Sequence, residues 1–326
     1  MWNHSKAHAN IALIKYWGKR DHALNLPETG SLSMTLEALH TRTKIRLSEN
    51  LNSDKVTLNN IELDEQSKKA IVHFLRLVRD LSGSSLKAEI ISENNFPTAS
   101  GLASSASGYA ALAKAASMAY GLELGDKELS ILARRGSGSA ARSIFGGLVE
   151  MLPGVQTDGT DAFAQKVPSQ YNDLTMIICI VGGGKKKAIS SRDAMNLCKS
   201  TSPYYAPWVE QVPKDLSKCK ALLLEDDFEA LGSLVEANAL AMHATAMASR
   251  PSTLFFEAQT LALLKKVQDI RKKGTLAFAT MDAGPHVKVL CRQHDSSSIE
   301  ANIKRDFSSI QTIVSRMGPG AQSIEA

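Results

Sequence analysis

Apolar and polar positions alternate or cluster along the 326-residue chain with two periods, and these divide it into strand-rich and helix-rich stretches. Residues 7–16 form an apolar run that predicts a strand leading into W-G-K-R-D. Residues 25–30 (N-L-P-E-T-G) have turn chemistry, after which 31–36 predict a second strand and 41–48 alternate as a third. Short apolar runs at 56–58 and 61–63 flank Asn59-Asn60 and predict a hairpin. Asp64 suits an N-cap for a helix with Ile71, Phe74, Leu75, Val78 and Leu81 on its buried face and Gly83 past its end. A strand pattern over 86–91 precedes a small-residue stretch. A helix then follows over 109–120 with Gly121 as its stop, and another over 127–134 with Asp126 as its cap. After a polar loop at 153–161, an apolar run at 174–181 predicts a buried strand, and helices are expected over 203–224, 227–248 and 254–273. Strands at 275–280 and 287–291 come next. Strands followed by blocks of helices predict an α+β fold. A division into 1–172 and 173–326 is expected, where a polar linker gives way to a fresh strand.

The stretch 97–108, P-T-A-S-G-L-A-S-S-A-S-G, lies between a strand pattern and a helix pattern. Small side chains let backbone approach a ligand closely, and the hydroxyls of Ser104, Ser105 and Ser107 can bind phosphate oxygens or a magnesium ion. The start of a helix adds unpaired N–H groups and a partial positive charge. A phosphate cradle and a tightly packed helix start are both compatible with this composition. The chain has no G-x-x-x-x-G-K-[ST] motif, and G-S-G-S-A-A-R at 136–142 follows a helix pattern instead of a strand, which argues against a dinucleotide fingerprint.

With 44% hydrophobic and 22% charged residues the chain is globular in type, and its net charge of +5 is modest for its length. The basic clusters at 185–187 and 271–273 suit a small anionic metabolite and do not suggest nucleic acid. Four widely spaced cysteines form no metal or disulfide pattern, so reduced thiols in a cytoplasm are expected. The apolar run at 11–14 is too short for a signal peptide, and no run approaches the length of a membrane span. Fixed cations at Lys19, Arg142, Lys187 and Arg192, two serine-rich segments and Asp282 in a Gly/Pro turn amount to a phosphoryl-transfer inventory. Taken alone, Asp282 reads more readily as a turn former than as a catalyst, Tyr16 as a strand aromatic, and Ser137 and Ser139 as capping residues. His243 reads as a packed histidine.

The run at 97–108 resembles the ATP loop of the small-molecule kinase superfamily that includes galactokinase, homoserine kinase, mevalonate kinase and phosphomevalonate kinase. N-I-A-L-I-K-Y-W-G-K at 10–19, G-S-G-S-A-A-R at 136–142 and M-D-A-G-P-H-V-K-V at 281–289 narrow the resemblance to the diphosphomevalonate decarboxylase family. The resemblance implies an N-terminal domain like domain 2 of ribosomal protein S5, a C-terminal antiparallel sheet backed by helices, and an active site in the cleft between them. It implies ATP and Mg2+, mevalonate 5-diphosphate as substrate, and a homodimer. Asp282, Arg142 and Lys19 would be the catalytic residues. Tyr16, Lys19, Ser137, Ser139, Arg142, Ser191 and Arg192 would bind the substrate. Pro97, Ser100, Gly101, Leu102, Ala103, Ser104, Ser105 and Lys187 would hold the nucleotide, and Ser104 the metal. Thr29-Gly30 and His286 depart from the family pattern. They leave open a mevalonate 5-phosphate decarboxylase or a mevalonate 3-kinase, and since some members of the superfamily are metabolite sensors, a non-catalytic sensor is a further alternative, against which Asp282, Arg142 and Lys19 weigh.

Overall fold

The computed structural model describes residues 1–96, 104–182 and 189–325. The chain begins with β1 (Asn3–Ile14), a short hairpin of β2 (Lys19–Asp21) and β3 (Leu26–Pro27), and the 18-residue strand β4 (Ser31–Ser48). The two strands expected at 31–36 and 41–48 are therefore one, because β1 pairs along nearly all of it. The hairpin β5 (Lys55–Leu58) and β6 (Ile61–Glu62) turns on Asn59 and Asn60 at φ 48° and 63°, left-handed positions that asparagine tolerates. Helix α1 (Glu65–Ser82) and strand β7 (Lys87–Asn94) follow. After these come α2 (Ser104–Ala119), α3 (Asp126–Gly136), α4 (Ala140–Ser143), β8 (Leu148–Met151) and β9 (Ala164–Lys166). The second half comprises β10 (Leu174–Ile180), α5 (Ser191–Thr201), α6 (Tyr205–Leu222), α7 (Phe228–Met247), α8 (Ala258–Lys272), β11 (Phe278–Thr280), β12 (Val287–Arg292), α9 (Gln293–Asp306), β13 (Gln311–Arg316) and β14 (Gln322–Ser323).

Two sheets carry the fold. The first runs β14-β1-β4-β7-β5-β6, with β8 and β9 extending it beside the first half of β4; the second is the antiparallel order β11-β12-β10-β13. Strand β10 is buried on both faces, and its alternation explains how the sheets join. Met176, Ile178 and Ile180 pack with Ile11, Leu13, Leu32 and Met34 of the first sheet and with Trp208, Val212 and Val235 of α6 and α7. Ile177 and Cys179 face the opposite way, against Leu263 and Val267 of α8 and Ile299 and Ile303 of α9. One core thus spans the junction between the sheets, and that junction is where the site forms. The C-terminal segment returns across it: Leu36 bridges to Met317, the Gly318 N–H donates to the Thr35 carbonyl at 2.8 Å, and β14 pairs with β1.

Several local expectations are corrected. Asp64 does cap α1, accepting from the Ser67 N–H at 2.7 Å, and Gly83 closes it at φ 68°. Leu81, however, is 60% exposed, and the helix buries Arg79 instead. Its guanidinium donates to both carboxylate oxygens of Asp54 at 3.1 Å, so the buried face of α1 extends toward a paired charge, on the side away from Leu81. Asp126 is the first residue of α3 and not its cap, which is Gly125 without a side-chain bond. The helix expected from 109 begins at Ser104. The one expected from 254 begins at Ala258, where Glu257 and Thr260 form a capping box. Helices α5 and α9 and strands β13 and β14 were not anticipated.

Asp54 also accepts from the Ala88 N–H at 2.9 Å, which ties α1 to β7. Asp54→Ala leaves a buried guanidinium unpaired and is expected to lower the unfolding free energy by about 3–5 kcal/mol. Chemical denaturation with a midpoint unchanged from the parent chain would contradict this account.

Candidate active site

The apolar run of β1 ends at Ile14, after a register shift against β4 between Ala12 and Ile14. The chain then leaves the sheet, and Lys15, Tyr16, Trp17 and Lys19 all turn into one cleft of about 760 Å³. Asn238 of α7 fixes this exit: its Oδ1 accepts from the Lys15 N–H at 2.8 Å, and its Nδ2 donates to Asp215 Oδ2 at 2.7 Å.

At the floor of the cleft, Lys15 Nζ lies 2.9 Å from Asp282 Oδ1 and also donates to the Ala12 carbonyl at 2.8 Å. Lys288 Nζ, on β12, lies 3.3 Å from Asp282 Oδ2. Both lysines are buried, whereas the Asp282 side chain keeps 25% of its surface open. Burial pushes the Asp282 carboxyl up, but the two ammonium groups outweigh it and hold the carboxyl well below the usual range. Burial pulls Lys15 down to about 8 against the opposing pull of Asp282. His243, on α7, is pulled down to about 3 by burial and then by Lys15; it is neutral and packs against Phe255 and Phe256.

Beside this cluster the Arg142 guanidinium of α4 is buried. Its Nε donates to Ser33 Oγ at 2.9 Å, Nη1 to Ser31 Oγ at 2.6 Å and Nη2 to Asn10 Oδ1 at 3.1 Å. Desolvation lowers it to about 10, so it stays charged at neutral pH. All of these acceptors are neutral, which leaves the guanidinium charge available to an incoming anion.

The opposite wall is built from helix starts. Ser104 and Ser105 open α2, and Ser105 Oγ accepts from Ser137 Oγ at 3.3 Å, which in turn lies 3.2 Å from Ser139 Oγ. Ser107 points away, buried against Thr41 Oγ1 at 2.7 Å, so it supports the helix and does not face the cleft. Ser190 caps α5, accepting from the Asp193 N–H at 3.1 Å, and this places Ser191 and Arg192 in the first turn at the cleft rim. Lys19 is nearly buried and, among the described residues, has no carboxylate partner; burial and then Arg192 lower it to about 8. The Tyr16 hydroxyl is buried without a hydrogen-bond partner among the described residues, and burial raises it against the weaker lowering pull of Arg142, which keeps it a neutral phenol. Its position depends on Gly138, where a Cβ would come within 2.6 Å of the hydroxyl.

Ten residues expected at the site thus line one cleft: Tyr16, Lys19, Ser104, Ser105, Ser137, Ser139, Arg142, Ser191, Arg192 and Asp282. Pro97, Ser100, Gly101, Leu102, Ala103 and Lys187 lie outside the described residues. The cleft therefore combines a fixed anion, buried cations and two helix starts, an arrangement suited to ligands with several negative charges.

Comparison with known proteins decides the family. The diphosphomevalonate decarboxylase-like N-terminal domain family matches residues 7–164, and the mevalonate 5-diphosphate decarboxylase C-terminal domain family matches residues 176–324. The chain belongs to the diphosphomevalonate decarboxylase family. It is 35% identical to the diphosphomevalonate decarboxylase of Debaryomyces hansenii over 93% of this chain and 83% of that one. It is 34% identical to that of Rattus norvegicus over 92% and 79%. Among solved structures, the mevalonate diphosphate decarboxylase of Enterococcus faecalis superposes with a TM-score of 0.94 at 39% identity, covering 100% of this chain and 99% of that one. The Staphylococcus aureus protein gives 0.95 at 39%, covering 99% and 98%. The structure of MDDEF in complex with MVAPP, AMPPCP and magnesium gives 0.95 at 40%, covering 100% and 99%.

Within this decarboxylase family scaffold, the two departures from the family motif lie apart from the cleft lining. A Cβ at Gly30 would come within 2.7 Å of Leu216 Cδ2, so helix packing explains glycine there. The His286 ring is buried, and its Nδ1 accepts from the Val181 N–H at 3.0 Å. Sequence reasoning missed Lys15, Lys288 and the Asn10, Ser31 and Ser33 set around Arg142. The available signal was a charge inside an apolar run, L-I-K-Y and V-K-V-L, which hydrophobic periodicity treats as noise.

Lys15 and Lys19 are both depressed, so each charge is fully present only well below pH 8 and is lost as the pH rises through about that value. Binding of inorganic pyrophosphate, measured calorimetrically, is expected to weaken above about pH 8. In Lys19→Gln the affinity should fall about 10-fold at pH 7. An affinity unaffected by Lys19→Gln would remove Lys19 from the anion site.

Proposed function

We propose that the chain catalyses the ATP-dependent decarboxylation of mevalonate 5-diphosphate to isopentenyl diphosphate, releasing ADP, phosphate and carbon dioxide. The observation that carries this reading is Asp282, a carboxylate pinned as an anion by two buried lysines yet open to the cleft that also holds Arg142 and the start of α2. The relatives' names support the reaction, and the complex with MVAPP, AMPPCP and magnesium supports the nucleotide and the metal.

In this reading the Ser104 and Ser105 end of α2 takes the ATP phosphates, with residues 97–103 and Lys187 contributing where the family pattern places them. Tyr16, Lys19, Ser191 and Arg192 take the 5-diphosphate. Ser137 and Ser139 lie beside the substrate, and Arg142 grips its carboxylate with a planar guanidinium. Asp282 faces the 3-hydroxyl. The hydroxyl oxygen forms a bond to the γ-phosphorus as the bond to ADP breaks. A carboxylate held this far below its usual range is a weak base, so it first orients the hydroxyl and takes the proton as the oxygen becomes acidic on bonding to phosphorus. Phosphate then departs with the C–O electron pair, and the electrons of the breaking C–CO₂ bond form the alkene. A magnesium ion fits this donor set. Among the described residues no cluster of three His, Cys, Asp or Glu side chains could hold a metal, and the half-buried Ser104 hydroxyl at a phosphate-binding helix start suits an ion that takes most of its ligands from phosphate and water. When bound, the ion would neutralise charge on the transferring phosphoryl group.

The alternatives were a 5-monophosphate substrate, a kinase and a sensor. Gly30 and His286, which raised the first two, are accounted for by packing, Lys19, Arg192 and the α5 start supply cationic and N–H groups for a diphosphate, and Asp282 with Arg142 and Lys19 weighs against a sensor. We also propose a division near residue 172 with β14 returning to the first sheet, a homodimer, and a cytoplasmic location. The cysteines, all four buried free thiols, accord with a reducing compartment, and among the described residues no helix is long and apolar enough to cross a membrane.

Purified protein with ATP, magnesium and mevalonate 5-diphosphate should release phosphate and carbon dioxide in equal amounts; ADP release without carbon dioxide would indicate a kinase. Asp282→Asn is expected to lose nearly all turnover while ATP binding survives, because the charge acts on the reacting hydroxyl, and near-normal turnover would sink the assignment. Arg192→Ala is expected to raise the substrate KM with kcat little changed. A fall in kcat at constant KM would instead make Arg192 part of the chemical step.

A further inference from the structure

Lys288 occupies a position that the strand pattern reserves for an apolar residue. In V-K-V-L-C of β12 it pairs with Ile178 of β10 and Thr280 of β11, and it shares the sheet face of Leu290, which packs toward the first sheet. Its side chain has no exposed surface. Placing an ammonium there costs several kcal/mol unless a partner offsets it. Asp282 is such a partner, through the oxygen that Lys15 does not hold.

We infer that Lys288 is a positioning residue of the reaction, which fixes the second oxygen of Asp282 so that the carboxylate meets the reacting hydroxyl in one orientation and does not repel the transferring phosphoryl group. This rests on the reading of Asp282 as the group facing the hydroxyl. With Lys15 alone, the carboxylate could pivot about its Cβ–Cγ bond. With a lysine from each sheet on each oxygen, the plane of the carboxylate is set by the junction of the two sheets. The charge count points the same way. The groups facing Asp282 are Lys15 from the end of β1, Lys288 from β12, Arg142 from α4 and neutral His243 from α7. Three cations against one carboxylate leave the pocket net positive for the substrate carboxylate and the incoming phosphoryl oxygens. Removing Lys288, whose own side chain is sealed from water, takes away a third of that cationic charge.

The test uses the full chain with ATP, magnesium and mevalonate 5-diphosphate. Lys288→Met, close in shape and uncharged, is expected to lower kcat about 10- to 100-fold, as loss of a group that orients a catalytic side chain does. Both KM values should stay within about twofold, since Lys288 has no exposed surface and is not among the residues that line the cleft. The basic limb of the kcat–pH profile should move to higher pH, because Lys15 loses a cationic neighbour that lowers it. A purely structural role would not move that limb. If Lys288→Met does not fold, Lys288→Gln is read in the same way. Unchanged kcat and an unmoved limb overturn the inference, as does a kcat loss that tracks the melting temperature with the limb in place. An inactive parent chain overturns the underlying reading and the inference together, so the two failures are told apart by the parent's own turnover.

Discussion

A single half-buried carboxylate between two buried ammonium groups fixes the relation of the two sheets at the site. Lys15 leaves the first sheet at the end of β1, Lys288 belongs to the second, and Asp282 lies in the turn that joins β11 to β12. None of the three could remain charged in that position alone, because desolvation of an isolated charge costs far more than a hydrogen bond returns. The ion cluster therefore requires the sheets to meet, and they meet through the apolar residues around it. Met176, Ile178 and Leu290 from one side pack with Ile11, Leu13 and Leu32 from the other. Breaking one partner would strand the rest, which makes the cluster a strict condition on how the halves pack.

Packing alone would leave the direction of the Lys15 side chain undetermined, since β1 could continue straight past the junction. The Asn238 bond to the Lys15 N–H, itself braced by Asp215, stops the strand at that residue and turns the following segment across the cleft. Glu28 secures the next piece. Its Oε2 accepts from Lys199 Nζ at 2.6 Å and from the Tyr205 hydroxyl at 3.3 Å, while Lys199 also donates to the Lys19 carbonyl at 2.8 Å. Helices α5 and α6 thereby hold the hairpin that carries Lys19. Side chains of α2, α4 and α5 converge with Lys15 and Tyr16 beyond the end of β1 and with Asp282 from the turn between β11 and β12.

Much of this was legible in the sequence where local chemistry decides structure. The Asn59-Asn60 hairpin, the Asp64 cap, the Gly83 stop and the buried strand at 174–181 follow from turn residues, capping oxygens and hydrophobic runs. The site residues were legible as motifs, and ten of them line one cleft. What could not be read were interactions made by residues far apart in sequence. Arg79 is buried because Asp54 pairs with it, Leu81 lies at the exposed edge of α1, and α9 shows its apolar face only as Ile299 and Ile303 amid polar residues. Lys15 and Lys288 are the sharpest cases. Each looks like an interruption of a strand until its partner, on another strand or in the turn after it, is placed beside it.

The same electrostatics explain why the cleft is unfinished without an anion. Arg142 is hydrogen-bonded to neutral acceptors, Lys19 has no carboxylate partner among the described residues, and both are lowered by burial; the pull of Asp282 on Arg142 offsets that burial only in part, so the fold bears much of the desolvation cost of these charges. A multiply charged ligand supplies the remaining Coulombic return. Its binding would raise Lys19 back toward its ordinary value, so binding takes up a proton wherever the free lysine is partly neutral. The Asp282 cluster is the counterpart: its carboxylate is already satisfied by protein cations and needs no ligand to stay ionised. The cleft thus separates two kinds of charge, cations poised to be completed by substrate and a carboxylate completed in advance. Only the second can keep its geometry while bonds to phosphorus form and break beside it.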